Sequence, residues 1–203
     1  MEACGHITKE QFYSMISDLV KRSDAVFDGW KINEKHDKKY VCKKVALNQG
    51  RTHTSALDGE CVLDMDDHVD PDSSTLTESE QVNILAYDFH IVYSESYSVP
   101  VLYFNVYTDS GMLLSVDAVW NLVPEFYRAR LAEDRWSFIT QVEHPLLGRP
   151  FYQLHPCHTE KLMSSFTAKI DVGSESSSSY LITWLSVVGP VVNLRVPLEF
   201  GIG

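Results

Sequence analysis

Residues 87–111 read YDFHIVYSESYSVPVLYFNVYTDSG. Two runs dense in Tyr, Phe, Val and Ile lie either side of Ser94–Ser98, and the second ends at Asp109-Ser110-Gly111. Aromatic and β-branched side chains suit a pleated, half-buried surface, and Ser-rich and Asp-Ser-Gly clusters interrupt it, so the stretch predicts two consecutive antiparallel strands. Pro100 stands where the second run begins, a place at which a strand tolerates a missing N–H. His90 falls inside the first strand, where a lone histidine predicts a structural role. Tyr87, Phe89, Tyr93 and Tyr103 are expected in the core or on the sheet surface rather than against a substrate.

Working outward, Tyr40–Leu47 (YVCKKVAL) predicts another strand. Ahead of it, Thr8 with Gln11 three residues later is a capping-box signature, and Phe12, Met15, Ile16, Leu19, Val26, Phe27 and Trp30 recur at helical spacing, which predicts one amphipathic helix. Downstream, Ser115 caps a short helix with Val116, Val119, Trp120 and Val123 on one side, and Pro124 suits the first turn of the next. FITQVEHP and PFYQL predict extended pieces around a Leu-Gly-Arg-Pro turn. Leu162, Met163 and Phe166 give a short helix an apolar side, Gly173–Ser179 predicts a flexible link, and the run Tyr180–Val192 predicts a final buried helical element. Strands that follow one another directly, with helices before and after, predict an α+β fold whose antiparallel sheet is flanked by helices.

The 203 residues suffice for a single domain, residues 1–203, that needs no metal or disulfide staple for its core. Asp58–Glu80 holds nine acidic residues and no Lys or Arg, so it carries most of the formal charge of −11 and predicts a solvated insertion at about 48–81. Without a basic stripe the chain gains little by counterion release, which argues against nucleic acid, and anionic lipid would repel it. Tyr180–Val192 is too short to span a bilayer and is interrupted by Gly189-Pro190. The opening residues MEACGHITKEQ carry no secretory pattern, so a cytoplasmic location is expected. Cysteines 4, 42, 61 and 157 are therefore expected as free thiols.

Chemistry concentrates in Arg149–Phe166, RPFYQLHPCHTEKLMSSF. Pro156 disfavours helical backbone at His155, so the chain arrives extended and turns at Cys157, which predicts a thiol at a loop-to-helix junction. A helix N-terminus there would favour the thiolate. His155, Cys157 and His158 lack the paired spacing and second ligand pair of a zinc site, and no papain-like or caspase signature is present to make His144 the base of a protease. A reactive cysteine and a buried one both remain open on these residues alone.

The segments VWNLVPEFYRARLAEDRWSFITQVEHPLLGRPFYQLHPCHTEKL and YLITWLSVVGPVVNLRVPL, with YSVPVLYF upstream, closely resemble the autophagy E2-type conjugating enzymes. The resemblance covers about Tyr87–Leu198, and its specific signature is His-Pro-Cys at 155–157; the N-terminal third matches only in character. It implies a ubiquitin-conjugating-enzyme-like fold. It also implies that Cys157 takes the C-terminal glycine of the ubiquitin-like autophagy-related protein 12 as a thioester from the activating enzyme, autophagy-related protein 7. A lysine of autophagy-related protein 5 would then receive it, with no metal or organic cofactor. The compact chain favours this protein-directed branch over the lipid-directed one; a non-catalytic interaction module with a buried Cys157 is the alternative outside the class. Ubiquitin-conjugating enzymes carry His-Pro-Asn ahead of the cysteine, whereas here the triplet is His144-Pro145-Leu146. The oxyanion role of that Asn therefore does not transfer. Thr140, Gln141 or amides at the helix start are the candidates in its place, with His144 and His155 positioning the loop or relaying a proton.

Overall fold

The computed structural model describes residues 5–48, 84–131, 138–157, 159 and 177–201. The acidic insertion, the short helix expected around Leu162–Phe166 and cysteines 4 and 61 lie outside these residues.

Helix α1 spans Lys9–Ala25, and its capping box is complete: Thr8 Oγ1 accepts from Gln11 N at 3.2 Å while Gln11 Oε1 accepts from Thr8 N at 2.7 Å. Phe12, Met15, Ile16 and Leu19 form its buried stripe. The helix ends before Val26, which still packs against the core, and the apolar stripe does not run on to Phe27 as the spacing suggested. Asp28 N donates to Ser23 O at 2.9 Å and Phe27 N to Asp24 O at 3.4 Å, a Schellman closure with Phe27 at φ 56°. That turn leaves Phe27 95% exposed and returns Trp30 to the core from outside the helix.

Strand β1, Lys31–Lys35, is an element the hydrophobic pattern did not announce. KINEK is polar on both faces because it sits at a sheet edge, and it pairs with β2 (Lys38–Asn48) through a two-residue turn, His36-Asp37, with φ 53° and 57°. Both central residues adopt left-handed backbone, the I′ geometry that matches the strand twist. β3 (Ile84–Ser94) and β4 (Val99–Tyr107) are the predicted hairpin, in register Phe89↔Phe104. α2 (Val116–Leu122) is capped by Ser115, and α3 (Glu125–Leu131) starts just after Pro124, whose carbonyl accepts from Tyr127 N and Arg128 N. β5 (Ile139–Glu143) and β6 (Pro150–Leu154) form a second hairpin. α4 begins at Ser177 and ends at Val188, so the last three serines of the expected link are helical. Gly189-Pro190 converts the helix to a 3-10 turn over Gly189–Val192.

The six strands form one antiparallel sheet in the order β1-β2-β3-β4-β6-β5. Its inner face, built on Tyr87, Phe89, Ile91, Leu102, Phe104 and Tyr152, meets α1, α2 and α4 through Phe12, Trp120 and Trp184. Each of these large side chains contributes roughly 2 kcal/mol by leaving water. Lys43 also points to this face. Its ammonium meets Asp28 Oδ1 at 2.5 Å and lies 5.8 Å from the centre of the Trp30 ring, which makes its burial tolerable. The opposite face carries a smaller core of Tyr40, Val92, Val101, Tyr103, Leu146 and Phe151.

Candidate active site

The β5-β6 hairpin supplies both histidine-proline pairs and places them at its two ends. At the closed end, His144 N donates to Arg149 O and Gly148 N to His144 O, each at 2.9 Å, with Gly148 at φ 66°. His144 is fully buried, and its Nδ1 accepts from Leu146 N and Leu147 N at 3.2 Å. An Nδ1 that accepts leaves the ring proton on Nε2, so His144 donates to His90 Nδ1 at 3.1 Å. His90 in turn donates through Nε2 to Asp88 Oδ1 at 3.1 Å. Asp88 Oδ2 faces the Arg149 guanidinium at 3.7 Å. Burial, followed by His90 and Arg149, pushes His144 down to about 4, so the ring is neutral. Burial would raise Asp88, but the His90 hydrogen bond and the cations Lys44 and Arg149 outweigh it and hold the carboxyl below its ordinary value.

At the open end the ladder runs one rung past the strands, His155 N donating to Phe138 O at 3.0 Å. The chain then turns: His155 Nδ1 accepts from Cys157 N at 3.2 Å, and Thr159 N donates to Pro156 O at 2.9 Å. Cys157 is exposed and, like Thr159, has helical backbone. His158 lies outside the described residues. The Tyr97 ring, from the β3-β4 turn, stands 5.9 Å from the His155 ring at 78° and props it from the side.

The structure thus brings His155 to Cys157 and separates His144 from it. Five residues of each strand lie between the His144/Arg149 and Phe138/His155 rungs, six steps or roughly 20 Å at ~3.3 Å per residue. Thr140 and Gln141 sit on the rungs nearer Cys157, Thr140 half-buried opposite Gln153 and Gln141 exposed opposite Tyr152. The Cys157 amide is committed to His155, so it is not a spare oxyanion donor. Tyr97 went unnoticed in the sequence because a tyrosine in a Ser-rich turn carries no periodic signal. The Asp88–His90 pair did leave one, since positions i and i+2 of a strand share a face.

The two thiols among the described residues differ sharply. Cys42 is half-buried with Asn33 Nδ2 2.8 Å from its sulfur, and burial pushes its thiol up. Cys157 is exposed. Among the described residues no group of three or more His, Cys, Asp or Glu side chains could hold a metal ion, and no helix is long and apolar enough to cross a membrane.

Comparison with known proteins gives the family. The family model described as autophagocytosis associated protein, active-site domain, matches residues 11–199. The human ubiquitin-like-conjugating enzyme ATG10 is 32% identical over 98% of this chain and 94% of its own. The Arabidopsis thaliana protein of the same name is 50% identical over 56% of this chain and 51% of its own. The crystal structure of the autophagic E2 Atg10 superposes with a TM-score of 0.50 at 12% identity, covering 94% of this chain and 99% of that one, a likeness of fold. The chain belongs to this family, the E2-like ubiquitin-like-protein conjugating enzymes of autophagy.

Proposed function

We propose that Cys157 carries autophagy-related protein 12 as a thioester and passes it to a lysine of autophagy-related protein 5, after receiving it from autophagy-related protein 7. The observation that supports this is an exposed thiol on a turn fixed by the bond from its own amide to His155. In the first step the Cys157 thiolate attacks the thioester carbonyl held by the activating enzyme, whose cysteine leaves as a thiolate. In the second, the lysine amine attacks, the bond from carbon to the Cys157 sulfur breaks, an isopeptide forms, and the amine proton passes to a base or to water. Residue His155 positions the sulfur, and Thr140 and Gln141, on the β5 strand that leads from the end of the hairpin beside Cys157, are the side chains proposed for the developing oxyanion. For His144 the reading is a positioning role in the hairpin. The unit of function is the whole 203-residue chain as one domain with its acidic insertion at about 48–81, working in the cytoplasm.

The test is a non-reducing gel with the activating enzyme, ATP and the modifier. A band removed by dithiothreitol is expected, lost in Cys157→Ala and converted to a dithiothreitol-resistant oxyester, or lost, in Cys157→Ser. An unchanged band in Cys157→Ala would overturn the assignment. Transfer to phosphatidylethanolamine liposomes in place of autophagy-related protein 5 would assign the lipid-directed branch.

A further inference from the structure

The sheet has two outer edges, and they are not alike. β1 carries Lys31, Glu34 and Lys35 within five residues, the charged pattern that keeps an edge from pairing with another chain. β5, the opposite edge, reads Ile139-Thr140-Gln141-Val142-Glu143, with neither lysine nor proline and a single charge at its far end. Cys157 lies at the Ile139 end of that edge. The bonds from His155 N to Phe138 O and from His144 N to Arg149 O fix the parity of the ladder. Residues 138, 140, 142 and 144 face β6, so the N–H and C=O groups of Ile139, Gln141 and Glu143 point outward. No hydrogen bond from the described residues reaches them.

We propose that this edge binds the C-terminal tail of the ubiquitin-like modifier as an added seventh strand, antiparallel to β5. The inference rests on the thioester reading of Cys157 and names how the acyl donor is held there. Direction decides the geometry: a tail antiparallel to β5 runs from Glu143 towards Ile139, which delivers its terminal glycine to the end where the sulfur lies. Cys157 is on the continuation of β6, two strand spacings from the added strand, or about 10 Å. About three extended residues cross that distance, and five more run alongside Glu143 to Ile139. Backbone pairing suits this occupant because the reacting group is a chain terminus that must arrive extended, and glycine at the crossing passes the end of β5 without a side chain.

Amide hydrogen exchange on the thioester-charged protein, with autophagy-related protein 12 as the probe, tests the proposal. The amides of Ile139, Gln141 and Glu143 should gain protection on charging, while those of Thr140 and Val142, already bonded to β6, should not change. Glu143→Pro removes one outward N–H that the sheet does not use. Its rate of thioester formation should fall about tenfold at subsaturating donor, the size expected for one or two backbone hydrogen bonds. Glu143→Ala keeps the N–H and should stay near the parent rate. A charged protein whose three outward amides exchange as in the free protein overturns the proposal and leaves the thioester reading standing. Equal losses in Glu143→Ala and Glu143→Pro would place the effect in the side chain, and protection induced by the uncharged acceptor protein alone would give the edge to the acceptor; either result overturns it. Absence of any thioester on Cys157 overturns both readings.

Discussion

Replacing His144 by asparagine isolates the energetic consequence of burying a neutral imidazole beneath the hairpin turn. In the folded protein His144 titrates at about 4 instead of 6.5. Between those values the unfolded chain binds a proton that the folded chain refuses, so stability rises with pH across the interval and is lost on acidification. Integrating between the two values gives a loss of about 2 kcal/mol from pH 7 to pH 5, growing to roughly 3 kcal/mol by pH 4. The structure explains the direction. A protonated Nδ1 would turn towards the Leu146 and Leu147 amides with a donor where they need an acceptor, inside a shell of Tyr40, Tyr103 and Phe151. Asparagine keeps an acceptor oxygen near the Nδ1 position, cannot titrate, and leaves His90 Nδ1 without its donor. His144→Asn should therefore be less stable than the parent at pH 7 by about 1–3 kcal/mol. That gap should narrow by about 2 kcal/mol at pH 5, because only the parent pays for the proton. Urea unfolding followed by tryptophan fluorescence at both pH values measures it. A gap that changes by less than about 0.5 kcal/mol would refute the assignment of His144 as the neutral acceptor of the turn.

Three further outcomes are expected. Asp28→Ala should destabilise the fold by about 3–5 kcal/mol, because it strands the buried Lys43 ammonium, whereas Asp28→Leu with Lys43→Met should recover most of the loss in denaturant melts. Thr8→Ala should cost about 1 kcal/mol through the lost cap of α1, with no change in thioester yield. Tyr97→Ala, which removes the ring propping His155, should slow thioester formation by about twofold to tenfold while Tyr97→Phe stays near the parent rate in single-turnover gels.

The sheet was legible wherever one face of a strand is buried. β3 and β4 announced themselves because Phe89, Ile91, Leu102 and Phe104 lie on a common core face, and β5 and β6 followed from Ile139, Phe151 and Tyr152. β1 was not legible, since this strand buries neither face and its turn uses His36-Asp37 in left-handed backbone instead of a glycine pair. Phe27 misled for a related reason: apolar spacing does not report that a Schellman closure has already turned the chain. At the site, Cys157 stood out by residue type and by the resemblance it anchors. Tyr97 did not, because its approach to His155 is set by the register of β4 with β6, which only the fold supplies.

The two histidine-proline pairs show how one local device acquires two uses. In each, the imidazole Nδ1 accepts the amide two residues on, from Leu146 at one end of the hairpin and from Cys157 at the other, both at 3.2 Å. Proline supplies the reason for the repetition: it has no N–H of its own and keeps the preceding histidine extended, so the next amide is the first that can reach the ring. What differs is where the strand delivers the turn. His144 is driven beneath Tyr103 and Phe151, where its second nitrogen finds His90 and the turn becomes a clamp on the outer face. His155 emerges one rung beyond the sheet, where the same bond holds an exposed cysteine in one orientation. If this account is right, His155→Asn, which returns an acceptor to the Cys157 amide, should preserve thioester formation within about threefold, and His155→Ala should lose about tenfold, the cost of one charge-free hydrogen bond. Equal losses in the two variants would mean that the His155 ring acts on the sulfur by proton transfer rather than by holding the turn.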